Sequence, residues 1–509
     1  MRLYDPPCRM SASAIWALQR ASYQEAGPHA WGPSGVPLQV VANPWIADAY
    51  ARVVLAHLRA LADAPGDDPV YLIELGAGSG RFAHYLLQAL ARHTGPGLRA
   101  RPYRLVITDL AASNVAAWRR HPQLSAWFAS GVLEAAVFDL AAPGPLTLAD
   151  GTVLGPGALA LPPIFLANYV FDSLPADGFW TGDGERQELL LGLATEVPRD
   201  QTVTLPDTAW LRVRAPAERP SYPEPAFERL LDELEGQVDQ TSYVVPIGVL
   251  RCLDALRTWG PGWVLLATDK GDVSPATIHD RDHLTLVNHD TAFSTLVNFY
   301  LIGRWIEGLG GAWHTGRGEQ LLVSTLAAVD LPDGHRNELH RAYERALCDV
   351  SALDYQRLVH GLADAQDKLS AGAVLSSLRQ SCYDPFLFTH LRPVLMRELH
   401  QLVRLPQHDV RDALLAVWER RFALPDAPDD LAFAVATVLH GASQFEPAVR
   451  LYEASLAELG PSLAAHYNLA LALESLARPE QALSHALAAA ELGPQVPELR
   501  HLVARLQAT

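Results

Sequence analysis

The sequence has little cysteine, no long apolar run and fewer basic than acidic residues, and each lack removes a class of protein. Four cysteines, Cys8, Cys252, Cys348 and Cys382, are scattered over 509 residues with no C-x-x-C pair. That spacing gives no zinc module, so no metal site is expected and the thiols read as reduced and mostly buried. No segment holds ~18 uncharged apolar residues, and Met1-Arg2-Leu3-Tyr4-Asp5-Pro6-Pro7 lacks the basic-then-apolar order of a signal. The expectation is a soluble, cytoplasmic protein with no membrane partner. Forty basic residues stand against 57 acidic ones, a formal charge of −17 that disfavours nucleic acid or anionic lipid as a partner.

What is present is a well-buried globular composition, 49% hydrophobic and 19% charged. The length suits roughly three domains. The most informative stretch is Tyr71-Leu72-Ile73-Glu74-Leu75-Gly76-Ala77-Gly78-Ser79-Gly80-Arg81-Phe82. An apolar strand ends in an acid, then three alternating glycines open a helix, so the backbone can turn sharply and offer its amides to a ligand. A dinucleotide loop reads G-x-G-x-x-G and faces a pyrophosphate. Here the spacing is G-x-G-x-G, and Glu74 would repel a pyrophosphate while accepting hydrogen bonds from an ammonium group. The order E-x-G-x-G-x-G resembles the first motif of class I S-adenosylmethionine (SAM) dependent methyltransferases. A βα turn without a ligand is the alternative reading of these residues alone.

Downstream, strands and helices alternate. Tyr103 to Asp109 reads as a buried parallel strand, and Asp109, followed by Leu110, can accept both ribose hydroxyls of an adenosine or cap the next helix. Leu133 to Leu140 reads as a third strand. Its Asp139 stands where adenine's exocyclic amine needs an acceptor, with Phe138 or Leu140 over the ring; an ordinary strand end is the alternative. After a Pro/Gly/Ala-rich loop, Ala141 to Pro163, comes Ile164-Phe165-Leu166-Ala167-Asn168-Tyr169-Val170-Phe171-Asp172-Ser173-Leu174-Pro175. Two polar groups, Asn168 and Asp172, thus sit where a methyl donor should point.

That segment resembles the A-N-E-x-x-D-A-L-P signature of MidA-like SAM-dependent methyltransferases, the family that includes the mitochondrial complex I assembly arginine methyltransferase. Asn168, Asp172, Leu174 and Pro175 match. Tyr169 departs, since the family usually has glutamate there, so a guanidinium acceptor meets one fewer carboxylate. Val40 to Ala51, with Asn43 and Pro44, is similar to the family's pocket-forming segment, and Leu296-Val297-Asn298-Phe299 to its V-D-F entry to a late helix, here with Asn298 for aspartate. Gly262 to Gly271 reads as the fifth strand, and Gly310 to His314 with Gln320 to Ser324 as a closing antiparallel hairpin. The resemblance covers roughly residues 15 to 328.

It implies a Rossmann-like class I α/β domain, doubly wound and mostly parallel with an antiparallel closing strand, that binds S-adenosyl-L-methionine. Glu74, Gly76, Ala77, Gly78, Ser79, Gly80, Asp109, Leu110, Phe138, Asp139, Leu140 and Asn168 are the expected cofactor residues. Asp172, Asn168 and Tyr169 are the expected catalytic set; Asn43, Pro44, Tyr169 and Asn298 are expected to meet the substrate. Asp172 as a helix cap and Tyr169 as core packing are the alternatives.

Residues 1–60 read as an N-terminal helical, pocket-forming segment and 61–330 as the methyltransferase domain. Its insertion, 181–240, alternates like a β-hairpin or small lid. From about Leu331 the character becomes all-α: 331–425 is a helical region, and 426–509 resembles tetratricopeptide repeats. Phe445-Glu446-Pro447-Ala448 and Pro479-Glu480-Gln481-Ala482 lie 34 residues apart, and Val435, Ala436 and Leu439 precede Leu469, Ala470 and Leu473 by the same interval. Such an arm suits a protein or peptide acceptor or partner. The oligomeric state stays open, with a homodimer among the options. A SAM-binding scaffold without catalysis, acting through the arm, is the second functional reading.

Overall fold

The computed structural model describes residues 1–31, 40–95, 97–279, 281, 283–289, 292–316, 322–425 and 430–508. They form two compact units, Met1–Ala42 with Ile46–Asp354, and Asn43–Trp45 with Tyr355–Thr509.

In the first unit, Val70–Leu75, Tyr103–Asp109, Ile164–Asn168 and Trp263–Asp272 are largely apolar runs, the pattern of parallel strands buried on both faces. The sheet order is Ala312–Thr315, Leu322–Val329, Trp263–Asp272, Ile164–Asn168, Val70–Leu75, Tyr103–Asp109, Leu133–Val137. The last five strands are parallel, while Leu322–Val329 runs antiparallel to both of its neighbours. From Val70–Leu75 the chain winds outward to Leu133–Val137, then returns to the other side with Ile164–Asn168. That reversal leaves a crevice at the carboxyl ends of the two central strands. The mixed α/β arrangement with an antiparallel closing hairpin is the one expected, although Gln320 and Leu321 lie outside the described residues.

A second sheet grows from the insertion. Glu185–Thr195 is its centre, flanked by Asp177–Gly182, by Thr208–Pro216 and, across residues 191–195, by Arg2–Cys8. Thr241–Val245 extends it beyond Asp177–Gly182. The N-terminal strand had no sequence signal, because Pro6 and Pro7 interrupt any alternation. Its register slips between Asp5 and Cys8, where those prolines cannot donate to the ladder. Arg186, with a fully buried side chain, fastens the sheet to the helix Pro225–Glu235 through Glu228, Asp232 and Glu235.

The second unit is helical among its described residues. Leu431–Gly441, Phe445–Leu459, Leu463–Ser475, Pro479–Leu492 and Pro497–Gln507 follow one another as packed pairs. Ala436, Ala448, Ala470 and Ala482 are fully buried in the shared core, so small side chains stand where the helices approach. Among the described residues no helix is long and apolar enough to cross a membrane.

Candidate active site

The glycine loop turns as its sequence demands. Gly76, Gly78 and Gly80 have φ of 67°, 56° and 78°, the left-handed region that disfavours a side chain. At Gly78 a Cβ would lie 2.6 Å from the Trp31 indole, and at Gly76 it would lie 2.6 Å from Val170. Trp118 braces the loop from behind, its Nε1 donating to the Gly78 carbonyl at 3.0 Å. The Ala77 amide bonds the Thr108 carbonyl at 2.7 Å, which ties the turn to the neighbouring strand.

Two clefts open at this crevice. The larger, about 820 Å³ with its open mouth, is lined by Gly76, Asp109, Leu110, Phe138, Asp139 and Leu140 on the sheet side. The smaller, about 420 Å³, is lined by Glu74, Gly76, Ala77, Gly78, Ser79, Asn168 and Tyr169, together with Trp31. Gly80 lines neither; its contact is with Trp118. Tyr169 borders both clefts, so it marks their junction.

The carboxylates differ in what holds them. Burial, with Asp109 nearby, pushes the Glu74 carboxyl up to about 8, and its Oε2 is buried without a hydrogen-bond partner. Asp109 is also raised by burial, against the amide hydrogen bonds of Ala111 and Gly78. Asp139 is held below the usual carboxylate range by Arg20, whose guanidinium meets both of its oxygens at 2.6 and 2.8 Å. Arg20 belongs to the helix Ile15–Ala26, and that helix lines the larger cleft with Trp16, Gln19, Arg20 and Tyr23. Those four positions share one helical face by their spacing of three, four and seven.

Asn168 ends its strand with its Oδ1 accepting from Tyr50 Oη at 2.6 Å, and Tyr50 Oη lies 2.7 Å from Thr268 Oγ1. The Asn168 Nδ2 is buried and unpartnered. Tyr169 has φ of 52°, a conformation rare for a bulky residue, and Lys270 Nζ lies 5.1 Å from its ring centre. Asp172 is buried and lines neither cleft. Its Oδ1 accepts from Ser173 Oγ at 3.0 Å, and Ser173 does line the larger cleft. Burial pushes Asp172 up to about 6, against the Ser173 hydrogen bond and the Lys270 charge. Asp269, raised by burial and by Asp172, accepts the amides of Phe171, Asp172 and Lys270 and so fixes the turn.

The expected substrate residues are not brought together. Asn298 spends both ends of its amide in the fold, accepting from the Leu301 amide at 3.1 Å and donating to the Val244 carbonyl at 3.0 Å. It caps the helix Phe299–Gly308 and lines neither cleft. Asn43 and Pro44 fall in the second compact unit and likewise line neither.

Residues 49–246 match the model of the family described as "Putative S-adenosyl-L-methionine-dependent methyltransferase". That match likens residues 49–246 to SAM-dependent methyltransferases. The cofactor of such enzymes, S-adenosyl-L-methionine, fits the residues present: a buried acceptor without a partner at Glu74 suits an ammonium, and a buried donor without a partner at Asn168 suits a carboxylate. A search of curated proteins finds no match. Among solved structures, the chain is similar to a Burkholderia thailandensis protein crystallised with S-adenosyl-homocysteine. That pair shares 14% identity over 76% of this chain and 84% of the other, with a TM-score of 0.43. A native structure of a Burkholderia thailandensis protein also matches, at 14% identity over 75% and 87%, TM-score 0.35. The DhpI–SAH complex matches at 11% identity over 62% and 96%, TM-score 0.27.

Proposed function

We propose that this chain is a class I, MidA-like methyltransferase acting in the cytoplasm on a protein or peptide acceptor, with a nitrogen such as arginine's among the candidate atoms. The C-terminal helices, read as tetratricopeptide repeats, dock the substrate or a partner. The observation that carries the reading is the junction at Tyr169, where a cleft with unpartnered Glu74 and Asn168 atoms meets a cleft bounded by Asp109 and Phe138. An amino acid moiety suits the first and a nucleoside the second.

When bound, the cofactor supplies an electrophilic methyl group on a sulfonium. The protein's task is then to align acceptor and methyl. Glu74 and Asn168 hold the amino acid end, Asp109 and Phe138 the nucleoside end. Tyr169, kept in place by its strained backbone and by Lys270, forms the wall where the acceptor enters. Ser173 faces the larger cleft and hands a proton from the acceptor nitrogen to Asp172, whose pKa, pushed by burial up to about 6, suits a base near neutral pH. A catalytically silent SAM-binding scaffold is the second reading, favoured by the seclusion of Asp172 from both clefts.

Calorimetric titration with SAM, followed by mass spectrometry of copurifying proteins incubated with it, tests both. Binding with a gain of one methyl mass on a partner supports the enzyme. Binding with no such gain supports the scaffold, and absence of binding overturns both.

A further inference from the structure

Three buried polar atoms without partners gather around the smaller cleft, and only two belong to the sequence motifs. Glu74 Oε2 and Asn168 Nδ2 are the two described above; the third is Trp31 Nε1. Leaving a buried donor or acceptor unpaired is costly, so three around one small cleft point to a ligand that completes them. Their chemistry is complementary to a zwitterion. Indole Nε1 can only donate, and the Asn168 amide offers its nitrogen because its Oδ1 is taken by Tyr50. Two donors and one carboxyl acceptor match a carboxylate and an ammonium on a single α-carbon.

Trp31 is held in place for this role. It closes the turn Gly27–Trp31, and its indole lies on Gly78 so closely that a Cβ there would be 2.6 Å from the ring. Tyr23 stacks on it with centroids 6.4 Å apart and planes 13° apart. The same turn is seated against the helix Ala112–Arg120, since a Cβ at Gly27 would meet Ser113 Oγ at 2.5 Å.

We propose that Trp31 is a cofactor-binding residue, its indole N–H and the Asn168 Nδ2 amide both donating to the α-carboxylate while the Glu74 carboxylate accepts from the ammonium. This rests on the methyltransferase reading. Trp31 is therefore a specificity device, favouring ligands that keep the amino acid end over those that lack it.

The test compares two ligands by calorimetry on the full chain, S-adenosyl-homocysteine and 5′-methylthioadenosine, which lacks the α-amino acid group. Trp31→Phe keeps an aromatic ring over Gly78 and removes the N–H. The expected result is a loss of roughly 10- to 100-fold in affinity for S-adenosyl-homocysteine, as for a hydrogen bond to a charged group, with 5′-methylthioadenosine unchanged. Equal losses for both ligands would make Trp31 a packing wall and overturn the proposal, as would unchanged affinity for S-adenosyl-homocysteine. In both of those outcomes wild-type binding stands and the methyltransferase reading survives. If the wild-type chain binds neither ligand, the reading and the proposal fall together. A cooperative thermal melt of Trp31→Phe within a few degrees of wild type establishes that the variant is folded.

Discussion

The two walls of the crevice were built by opposite rules. One is the run from Glu74 to Gly80, where consecutive residues make the strand end, the turn and the helix start. The other is assembled from Trp16, Arg20, Tyr23 and Trp31, which line the larger cleft from an N-terminal helix and turn, with Trp31 and Gly76 shared by both clefts. The first wall is specified by backbone conformation and tolerates no side chain at its three glycines; the second is specified by packing and leaves individual residues replaceable. The contrast makes their sensitivities to mutation differ in size, and that can be measured.

The largest effect is expected at Gly78. Gly78→Val forces a branched side chain into φ of 56° and into the Trp31 indole at the same time. We expect S-adenosyl-homocysteine binding to fall by more than ~100-fold in calorimetry, with a stability loss of roughly 1–3 kcal/mol. Retained binding would show that the loop backbone is not what holds the ligand. Next comes Tyr50→Phe. It strands Asn168 Oδ1 in a buried site and leaves Thr268 Oγ1 with Ser324 Oγ as its hydroxyl partner, so denaturant melts should show a loss of about 1–3 kcal/mol. Cofactor affinity should drop with it, because Asn168 loses the contact that orients its amide.

The same contrast explains what could be read from the chain. The alternation of strands and helices and the positive-φ glycines follow from local patterns, each within a dozen residues. Asp172 was legible as a polar group near the site, but its burial behind Ser173 was not, because it depends on Asp269 and Lys270 from the adjacent strand. Asn298 was placed by resemblance to a family motif, and the structure spends its amide on a helix cap and on Val244. Trp16, Gln19, Arg20 and Tyr23 carried a usable signal, one face of a helix. Nothing local says that this face turns toward the glycine loop. The strand Arg2–Cys8 was hidden outright, since its partner lies some 190 residues away in the insertion.

A pH titration sharpens the comparison from the motif side. Burial has pushed Glu74 up to about 8, against an ordinary value of 4.5, so at pH 6 it is protonated and cannot pair with an ammonium. Its contribution to stability is present below pH 4.5 and is lost as pH rises through 8, where the buried carboxylate must ionise. Ligand binding runs the other way, since an ammonium favours the ionised form and releases the proton. Affinity for S-adenosyl-homocysteine should climb by up to about tenfold per pH unit between pH 6 and 8. Glu74→Gln should bind weakly with a flat profile over that window, and a slope that survives the substitution would assign the titration to another group.

The smallest effect is expected on the N-terminal wall at Arg20. Its pair with Asp139 has good bidentate geometry, yet the two side chains are 36% and 30% exposed, and solvent screening discounts such a pair to about 1 kcal/mol or less. Arg20→Ala should therefore shift the melting free energy by no more than that. It also frees both Asp139 oxygens, which the Arg20 guanidinium engages. If Asp139 accepts from adenine, losing this competitor offsets losing the wall contact, and affinity for S-adenosyl-homocysteine should change by less than about threefold. A loss beyond tenfold would mean that the helix Ile15–Ala26 is held over the cleft by this one pair, and that the N-terminal wall is as exacting as the glycine loop.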